Sequence, residues 1–224
     1  VIHYGSSIFE GFRAYKNGKG TAIFRLEAHT RRLYNSAKIY RMDIPYPPDD
    51  FKQAIIQTIQ TNRLKECYIR PLVFLGDGQM GVAARTNKVR VSVAAWPWGA
   101  YLSEEGLARG IRAKVSSFNR MHVNVQMVRA KISGQYVNSF LATREAALSG
   151  YEEAILLDTE GYVAEGAGEN IFIVKGGVLQ TPPLSSAVLA GIITLIADVF
   201  LRSRFWGGFG GRDRREGEAG EMFF

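Results

Sequence analysis

Two stretches of the sequence carry residues that could do chemistry. Lys131 lies among small and apolar neighbours in VRAKISGQY, residues 128–136. Burial favours the neutral amine of a lysine, which is the nucleophile that forms a Schiff base with an aldehyde. About one hairpin later, Glu165 and Glu169 flank a Gly-Ala-Gly turn in AEGAGEN, residues 164–170. Because glycine lets the backbone approach a ligand closely, these carboxylates could line a binding site.

Taken alone, each stretch favours a plainer interpretation. A lysine in a strand often extends its ammonium group to solvent, and glutamates beside a hairpin turn are usually solvated. The motifs elsewhere in the chain decide between the two interpretations.

Length, composition and charge limit the class of protein. With 224 residues, 46% of them hydrophobic and 22% charged, the chain is typical of a soluble globular protein with one or two domains. A net charge of +7 indicates a basic surface or anionic substrates more often than nucleic-acid binding. The single cysteine, Cys67, excludes an intrachain disulfide and is compatible with a reducing cytoplasm. The longest apolar run, residues 187–201, contains Asp198 and is too short to predict a membrane span.

The first half of the chain predicts a hairpin, two helices and two further strands. The run KNGKG, residues 16–20, is a turn signal between an aromatic-rich strand and its return strand, residues 21–25. Apolar spacing predicts helices over residues 26–41 and 50–62, the second capped by Asp50. Residues 68–75 and 88–96 have the composition of strands.

The second half predicts one helix and several short strands. Ser133 is a candidate N-cap for a helix over residues 134–148, with Tyr136, Phe140 and Leu141 facing inward and Gly150 ending it. A strand is expected over residues 110–118. Three more, over residues 153–158, 162–165 and 170–175, are expected to form an antiparallel meander.

The C-terminal tail has a different composition. Six of the fourteen residues from 207 to 220 are glycine, and three arginines are interleaved with acids. Such a stretch has too little apolar surface to offset the entropy lost on ordering. A Gly-Arg tail can also bind nucleic acid, but the acids nearly cancel its charge, which disfavours that interpretation.

Five motifs occur together in one order. They are HYGSSIFEG at residues 3–11, YIRPL at 68–72, PWGAY at 97–101, the lysine segment, and EGAGEN at 165–170. Together they resemble the branched-chain amino acid aminotransferases, which belong to the fold-type-IV pyridoxal-phosphate enzymes. The resemblance implies an α/β (α+β) fold with a small domain over residues 1–96 and a linker over residues 97–103. A larger cofactor-binding domain would follow over residues 104–224, incomplete and atypical after about residue 195.

The resemblance also implies roles for residues around pyridoxal 5′-phosphate. Lys131 would form the Schiff base and carry the proton between the substrate carbon and the cofactor. Arg32 would bind the phosphate, Tyr136 the ring hydroxyl and Glu165 the pyridine nitrogen. Other positions that the resemblance assigns to the cofactor pocket are Glu169, Asn170, Gly191, Ile192 and Ile193.

On the substrate side, the resemblance implies an apolar pocket with a charged rim. Apolar burial at about 25 cal/mol per Å² would favour leucine, isoleucine and valine side chains. Arg70 would pair with the second carboxylate when the substrate is glutamate. The remaining positions assigned to this pocket are Tyr4, Phe9, Gly11, Tyr68, Met80, Trp98, Tyr101, Ala167 and Gly168.

The implied function is amino-group transfer between branched-chain L-amino acids and 2-oxoglutarate. The resemblance implies a cytoplasmic homo-oligomer that uses small-molecule substrates, with no metal, nucleic-acid or membrane partner. Two alternatives on the same scaffold are a D-amino-acid aminotransferase and an aminodeoxychorismate-lyase-like enzyme. A third alternative, from another class, is an inactive fragment with a basic Gly-Arg binding tail.

Two features depart from the family pattern. Ile193 stands where the phosphate-binding turn usually has a hydroxyl group, and Thr194 follows one residue later. The likeness also fades after Leu195, and the family pattern is expected to be incomplete at both ends of this sequence. Weak cofactor binding and low activity are therefore expected of the chain as it stands.

Overall fold

The computed structural model describes residues 3–18, 20–83, 85–99, 106, 108–192 and 221–223. The chain divides into two compact units, and each is described by itself. The first unit comprises Val1–Glu105 and Ala130–Tyr136, and the second comprises Gly106–Arg129 and Val137–Phe224. The lysine segment, which the sequence assigned to the larger domain, therefore belongs to the first unit. The domain limits expected from the sequence stay a prediction.

The first unit contains a five-stranded antiparallel sheet. Its strands are β1 (Ser7–Phe9), β2 (Phe12–Asn17), β3 (Gly20–Ile23), β4 (Cys67–Leu75) and β5 (Val89–Trp96). Strand β4 is central, because β1, β2 and β5 all pair with it. Strands β2 and β3 form the hairpin that the turn at residues 16–20 predicted.

Two helices complete the first unit. Helix α1 (Leu26–Ile39) has the predicted position, and α2 (Pro48–Thr61) begins two residues before Asp50. The aspartate cap predicted for α2 is wrong, because no side chain caps this helix. Proline suits the first turn of a helix, where its missing N–H would have no partner. The core of the unit is built from apolar residues of both helices and the sheet, among them Ile8, Leu33, Ile55, Ile69 and Val73.

The second unit contains two small sheets and a helix, α3 (Tyr136–Leu148). In one sheet, β6 (Ala113–Val115) is parallel to β7 (Glu153–Leu157), which is antiparallel to β8 (Val163–Gly166). In the other, β9 (Phe172–Lys175) pairs with β10 (Val178–Gln180) and β11 (Glu221–Phe223). The predicted meander is therefore right for β7 and β8 and wrong for β9. The strand expected over residues 110–118 is only three residues long.

Helix α3 differs from its prediction in two respects. Ser133 does not cap it, since a 3₁₀ turn (Ser133–Gln135) precedes the helix and no side-chain cap is made. Phe140 and Leu141, expected to face inward, are 60% and 41% exposed. The helix instead buries small residues, which pack on the sheet, and these are Ser139, Ala142 and Ala146. Gly150 ends the helical region with φ +78°, as predicted.

The remaining predictions concern the linker, the C-terminal tail and membrane spans. Pro97, Trp98 and Gly99 of the expected linker are described, whereas Tyr101, Ile193 and the Gly-Arg tail lie outside the described residues. Among the helices that the structure describes, none has the length and apolar character needed to cross a membrane.

Candidate active site

Lys131 is held in a main-chain frame within the first unit. Its carbonyl oxygen accepts the N–H of Phe9 over 3.1 Å, and its own N–H donates to Ser36 Oγ over 3.0 Å. The next residue, Ile132, pairs with Ile8 in an antiparallel bridge. Strand β1 and helix α1 therefore fix the backbone on both sides of the lysine.

A crossing of two glycines extends this frame. The Gly5 carbonyl accepts the N–H of Gly134 over 3.1 Å, and a Cβ on Gly5 would lie only 2.6 Å from Gly134 Cα. Gly5 also has φ +62°, in the left-handed region that glycine adopts readily. Nearby, the Ser7 hydroxyl donates to the Ser133 hydroxyl over 2.7 Å. Ser133, which the sequence predicted as a helix cap, lies within the 3₁₀ turn, where Ile132 occupies the cap position.

The side chain of Lys131 ends between two aromatic rings. Its Nζ donates to the Tyr136 hydroxyl over 2.6 Å and lies 5.0 Å from the centre of the Phe9 ring. The Phe9 and Tyr136 rings meet edge to face, with centres 4.9 Å apart. The lysine as a whole is half-buried.

Arg32 is paired with a buried carboxylate that the sequence analysis did not single out. Its Nε and Nη2 donate to the two oxygens of Glu10 over 2.6 and 2.8 Å, and His29 Nδ1 lies 2.9 Å from the same carboxylate. Burial alone would raise the pKa of Glu10, but the hydrogen bonds from Arg32 and His29 outweigh it and hold that pKa below its usual range. An acid inside the apolar strand run SIFEGF was the signal that could have identified this residue. We call Phe9, Glu10, Arg32, Lys131 and Tyr136 the lysine cluster.

Five of the residues predicted for the substrate side also come together in the first unit. Arg70 donates from Nε and Nη2 to the Tyr68 hydroxyl over 3.2 and 2.6 Å, and its Cζ lies 4.7 Å from the Phe9 ring centre. The Tyr68 and Trp98 rings meet edge to face at 4.7 Å. Gly11 leaves room for this arrangement, since a Cβ there would lie 1.9 Å from the Tyr68 hydroxyl. We call Phe9, Gly11, Tyr68, Arg70 and Trp98 the aromatic cluster.

A second residue that the sequence analysis missed supports the aromatic cluster. Arg13 on β2 donates to the carbonyl oxygen of Gly99 over 2.9 Å and to that of Trp98. It therefore fixes the backbone that carries the Trp98 ring. By contrast, Tyr4 and Met80, also predicted for the substrate pocket, are 50% and 81% exposed.

Glu165 is the centre of a polar cluster in the second unit. One carboxylate oxygen lies 2.9 Å from Nε of the buried Arg120. The other accepts the Leu189 N–H over 3.0 Å and the Asn170 side-chain amide over 3.4 Å. The Asn170 amide also donates to the Leu189 carbonyl over 2.9 Å. We call Arg120, Glu165, Asn170 and Leu189 the glutamate cluster, and Arg120 and Leu189 are the members that the sequence analysis missed.

The Gly-Ala-Gly turn beside Glu165 is closed by its own backbone. The Gly166 N–H donates to the Glu169 carbonyl over 2.7 Å, and the Ala167 N–H donates to the buried Glu153 carboxylate over 3.3 Å. Burial, with a smaller contribution from the charge of Glu153, raises the pKa of Glu169 to about 7. Of the other residues predicted here, Ala167, Gly191 and Ile192 are buried and Gly168 is exposed.

Comparison with known protein families identifies the family of this chain. The model of the amino-transferase class IV family matches residues 7–195. The chain belongs to the class IV aminotransferases.

Two similar proteins are branched-chain-amino-acid aminotransferases. The branched-chain-amino-acid aminotransferase of Pseudomonas aeruginosa is 54% identical over 192 residues, and that of Escherichia coli is 48% identical over 193 residues. Each match covers 86% of this chain and 62% of the relative, so the chain spans less than two thirds of the length of these class IV aminotransferases.

Solved structures of class IV aminotransferases have the same fold. The crystal structure of the Escherichia coli branched-chain enzyme gives a TM-score of 0.87 at 46% identity, covering 90% of this chain and 67% of that one. The branched-chain amino acid aminotransferase of Thermobaculum terrenum, in its PLP form, gives 0.82 at 32% identity, covering 90% and 66%. The mixed α/β fold of type IV that the sequence predicted is thereby confirmed.

The lysine cluster and the glutamate cluster offer distinct chemistry. The lysine cluster combines an amine, a phenol and an arginine, which can act as a base, a hydrogen-bond partner and an anion-binding group. The glutamate cluster offers a fixed carboxylate in buried surroundings. Across the described ranges, no group of three His, Cys, Asp or Glu side chains could hold a metal ion.

Proposed function

We propose that the protein transfers amino groups between branched-chain L-amino acids and 2-oxoglutarate, using pyridoxal 5′-phosphate. The observation that carries this proposal is the position of Lys131, whose backbone is fixed on both sides and whose amine lies 2.6 Å from the Tyr136 hydroxyl. An amine carried on a fixed backbone suits proton transfer at a substrate α-carbon.

The residues present fit this cofactor by their chemistry. Arg32 is a guanidinium that Glu10 orients through Nε and Nη2, and its charge suits a phosphate, while Tyr136 offers a phenol to a ring hydroxyl. Glu165 offers a carboxylate whose negative charge keeps a pyridine nitrogen protonated. When bound, the cofactor supplies an electron sink that makes the α-hydrogen of an amino acid acidic. We also assign Glu169, Asn170, Gly191 and Ile192 to cofactor binding, together with Ile193, which lies outside the described residues.

Three residues of the chain would then have distinct tasks in this reaction. Lys131 would remove the proton from the substrate α-carbon and hold it on Nζ for the later return. Tyr136 orients the lysine amine through their shared hydrogen bond. Arg120 fixes Glu165, so the carboxylate keeps one position while the charge around it changes.

The aromatic cluster supports branched-chain substrates. Its rings provide apolar surface for leucine, isoleucine and valine, and Arg70 provides a partner for the second carboxylate of glutamate. Two relatives at 54% and 48% identity are named branched-chain-amino-acid aminotransferases, which favours this substrate class over D-amino acids. We assign the other predicted pocket residues to substrate binding as well, and these are Tyr4, Met80, Tyr101, Ala167 and Gly168. We further propose that the protein is a cytoplasmic homo-oligomer.

Covalent trapping tests the proposal. The protein is mixed with pyridoxal 5′-phosphate, reduced with borohydride and digested, and the labelled lysine is identified by mass spectrometry. We expect the label on Lys131, its loss in Lys131→Ala, and its retention in the control Lys114→Ala, which removes a lysine of the second unit. The same protein should transfer the amino group of L-leucine in preference to that of D-alanine. A label on another lysine, or preference for D-alanine, would contradict the proposal.

A further inference from the structure

Helix α1 carries two residues that bear on the proposed site. Arg32, the proposed phosphate anchor, and Ser36 are four residues apart on this helix. Residues at this spacing lie on the same face, about one turn apart. Ser36 is 1% exposed, so its hydroxyl is inside the protein.

The side chain of Ser36 makes a hydrogen bond to the lysine segment, outside its own helix. Its Oγ accepts the N–H of Lys131 over 3.0 Å, from a residue 95 positions further along the chain. A serine inside a helix usually hydrogen-bonds within that helix or points to solvent. Here a buried hydroxyl instead holds the backbone of the residue proposed to do the chemistry.

We propose that Ser36 is a positioning residue that fastens Lys131 to the helix carrying the phosphate anchor. This inference rests on the proposed function. Helix α1 then sets the separation between the group that binds the phosphate end of the cofactor and the amine that meets its aldehyde end. A helix turn is stiff, so the phosphate contact at Arg32 delivers the aldehyde to the lysine at a fixed distance.

The proposal predicts an effect that depends on the phosphate. Pyridoxal has the same aldehyde as pyridoxal 5′-phosphate but lacks the group that Arg32 would bind. If α1 links the two ends, loss of the Ser36 hydroxyl should reduce the advantage that the phosphate gives. A serine with a purely structural role would affect both compounds equally.

The experiment measures the initial rate of borohydride-trapped label on Lys131 with each compound and takes the ratio of the two rates. We expect Ser36→Ala to lower the ratio roughly tenfold, the effect of about one hydrogen bond. The double variant Arg32→Ala/Ser36→Ala should have the same ratio as the single variant Arg32→Ala. The control Ser7→Ala removes a hydroxyl that donates to Ser133, a side-chain contact with the lysine segment that does not involve Ser36, and should leave the ratio at the wild-type value.

The outcomes separate this inference from the proposed function. A ratio unchanged in Ser36→Ala, or lowered equally in Ser7→Ala, overturns the role of Ser36 while labelling of Lys131 in the wild type still stands. Absence of wild-type label on Lys131 overturns the proposed function itself. Circular dichroism and the melting temperature of each apoprotein variant are compared beforehand, so that the rates refer to folded protein.

Discussion

The lysine cluster and the glutamate cluster hold their central residues in opposite ways. Lys131 is fixed through its main chain, by Ser36 on one side and Phe9 on the other, and its amine has a hydrogen bond to the Tyr136 hydroxyl. Glu165 is fixed through its carboxylate, with one oxygen on Arg120 and the other on the Leu189 N–H.

This difference corresponds to the tasks proposed for the two residues. A group that moves protons needs a rigid base and a mobile end, whereas a group that supplies a constant charge needs its charged end fixed. The segment around Lys131 should therefore be sensitive to changes in backbone packing, and the surroundings of Glu165 to changes in charge.

Removing the charge of Glu165 should give the largest effect. Glu165→Leu leaves the buried Arg120 without its carboxylate, which should cost about 3–5 kcal/mol of unfolding free energy. The double variant Arg120→Met/Glu165→Leu removes both charges and should recover most of that loss, since an apolar pair often replaces a buried ion pair at little cost. Denaturant unfolding of the apoproteins measures both. A double variant as unstable as the single one would show that packing, not charge, holds this cluster.

Adding one methyl group to the glycine crossing should give the next largest effect. In Gly5→Ala the new Cβ would lie 2.6 Å from Gly134 Cα at a residue with φ +62°, so we expect a loss of about 2–3 kcal/mol. The matched control is Gly134→Ala, where the new Cβ meets nothing nearer than 3.5 Å and should cost at most about 1 kcal/mol. Equal losses in the two variants would show that the close approach at Gly5 is not what makes the frame sensitive.

In both the lysine cluster and the glutamate cluster, the sequence pointed to the central residues but not to the residues that support them. The family resemblance singled out Lys131, Arg32, Tyr136 and Glu165, whose roles stay predictions, and the hairpin and α1 followed from local turn and periodicity signals. The supports of these residues could not be predicted, because they come from distant parts of the chain. Arg120, for example, lies 45 positions before Glu165 and in no recognisable motif.

Two local predictions failed for the same reason. Ser133 has the right type and place for a helix cap, but its hydroxyl contacts Ser7, 126 positions away. Phe140 and Leu141 have the apolar character of core residues, but α3 packs through Ser139, Ala142 and Ala146, whose small size allows close approach to the sheet. Long-range contacts overrode local preference in both cases.

A third experiment refines the comparison, because the first unit also contains a charge at its aromatic cluster. Removing the guanidinium in Arg70→Ala should raise KM for glutamate about ten- to a hundredfold and change KM for leucine little, since only glutamate has a second carboxylate. Steady-state kinetics with both amino acids provide the measurement. The control Arg90→Ala removes an exposed arginine on β5 that pairs with Asp77 and should change neither value. Equal increases for both substrates would contradict the assigned role.

The smallest expected effect is a pH dependence in the second unit. The pKa of Glu169 is raised to about 7, above its ordinary value of 4.5, so the folded protein keeps a proton that the unfolded chain releases. Stability should therefore fall as the pH rises from about 4.5 to 7 and level off above that, by about 1 kcal/mol after allowance for solvent screening. Glu169→Gln should flatten this slope in unfolding experiments, and the control Glu160→Gln, at an exposed site, should retain it. A slope that survives in Glu169→Gln would assign it to another group.

The glycine crossing has a consequence for how the chain acquires its structure. Along the chain, nearly all of the first unit lies between Gly5 and Gly134. Residues 106–129, which belong to the second unit, also lie between them. Closing so long a loop costs entropy that only the completed contact repays, so this contact should form late in folding. During synthesis, the first 105 residues can build the sheet and both of its helices, yet the lysine arrives only with the segment that follows. The nascent chain therefore has its scaffold before it has its reactive amine.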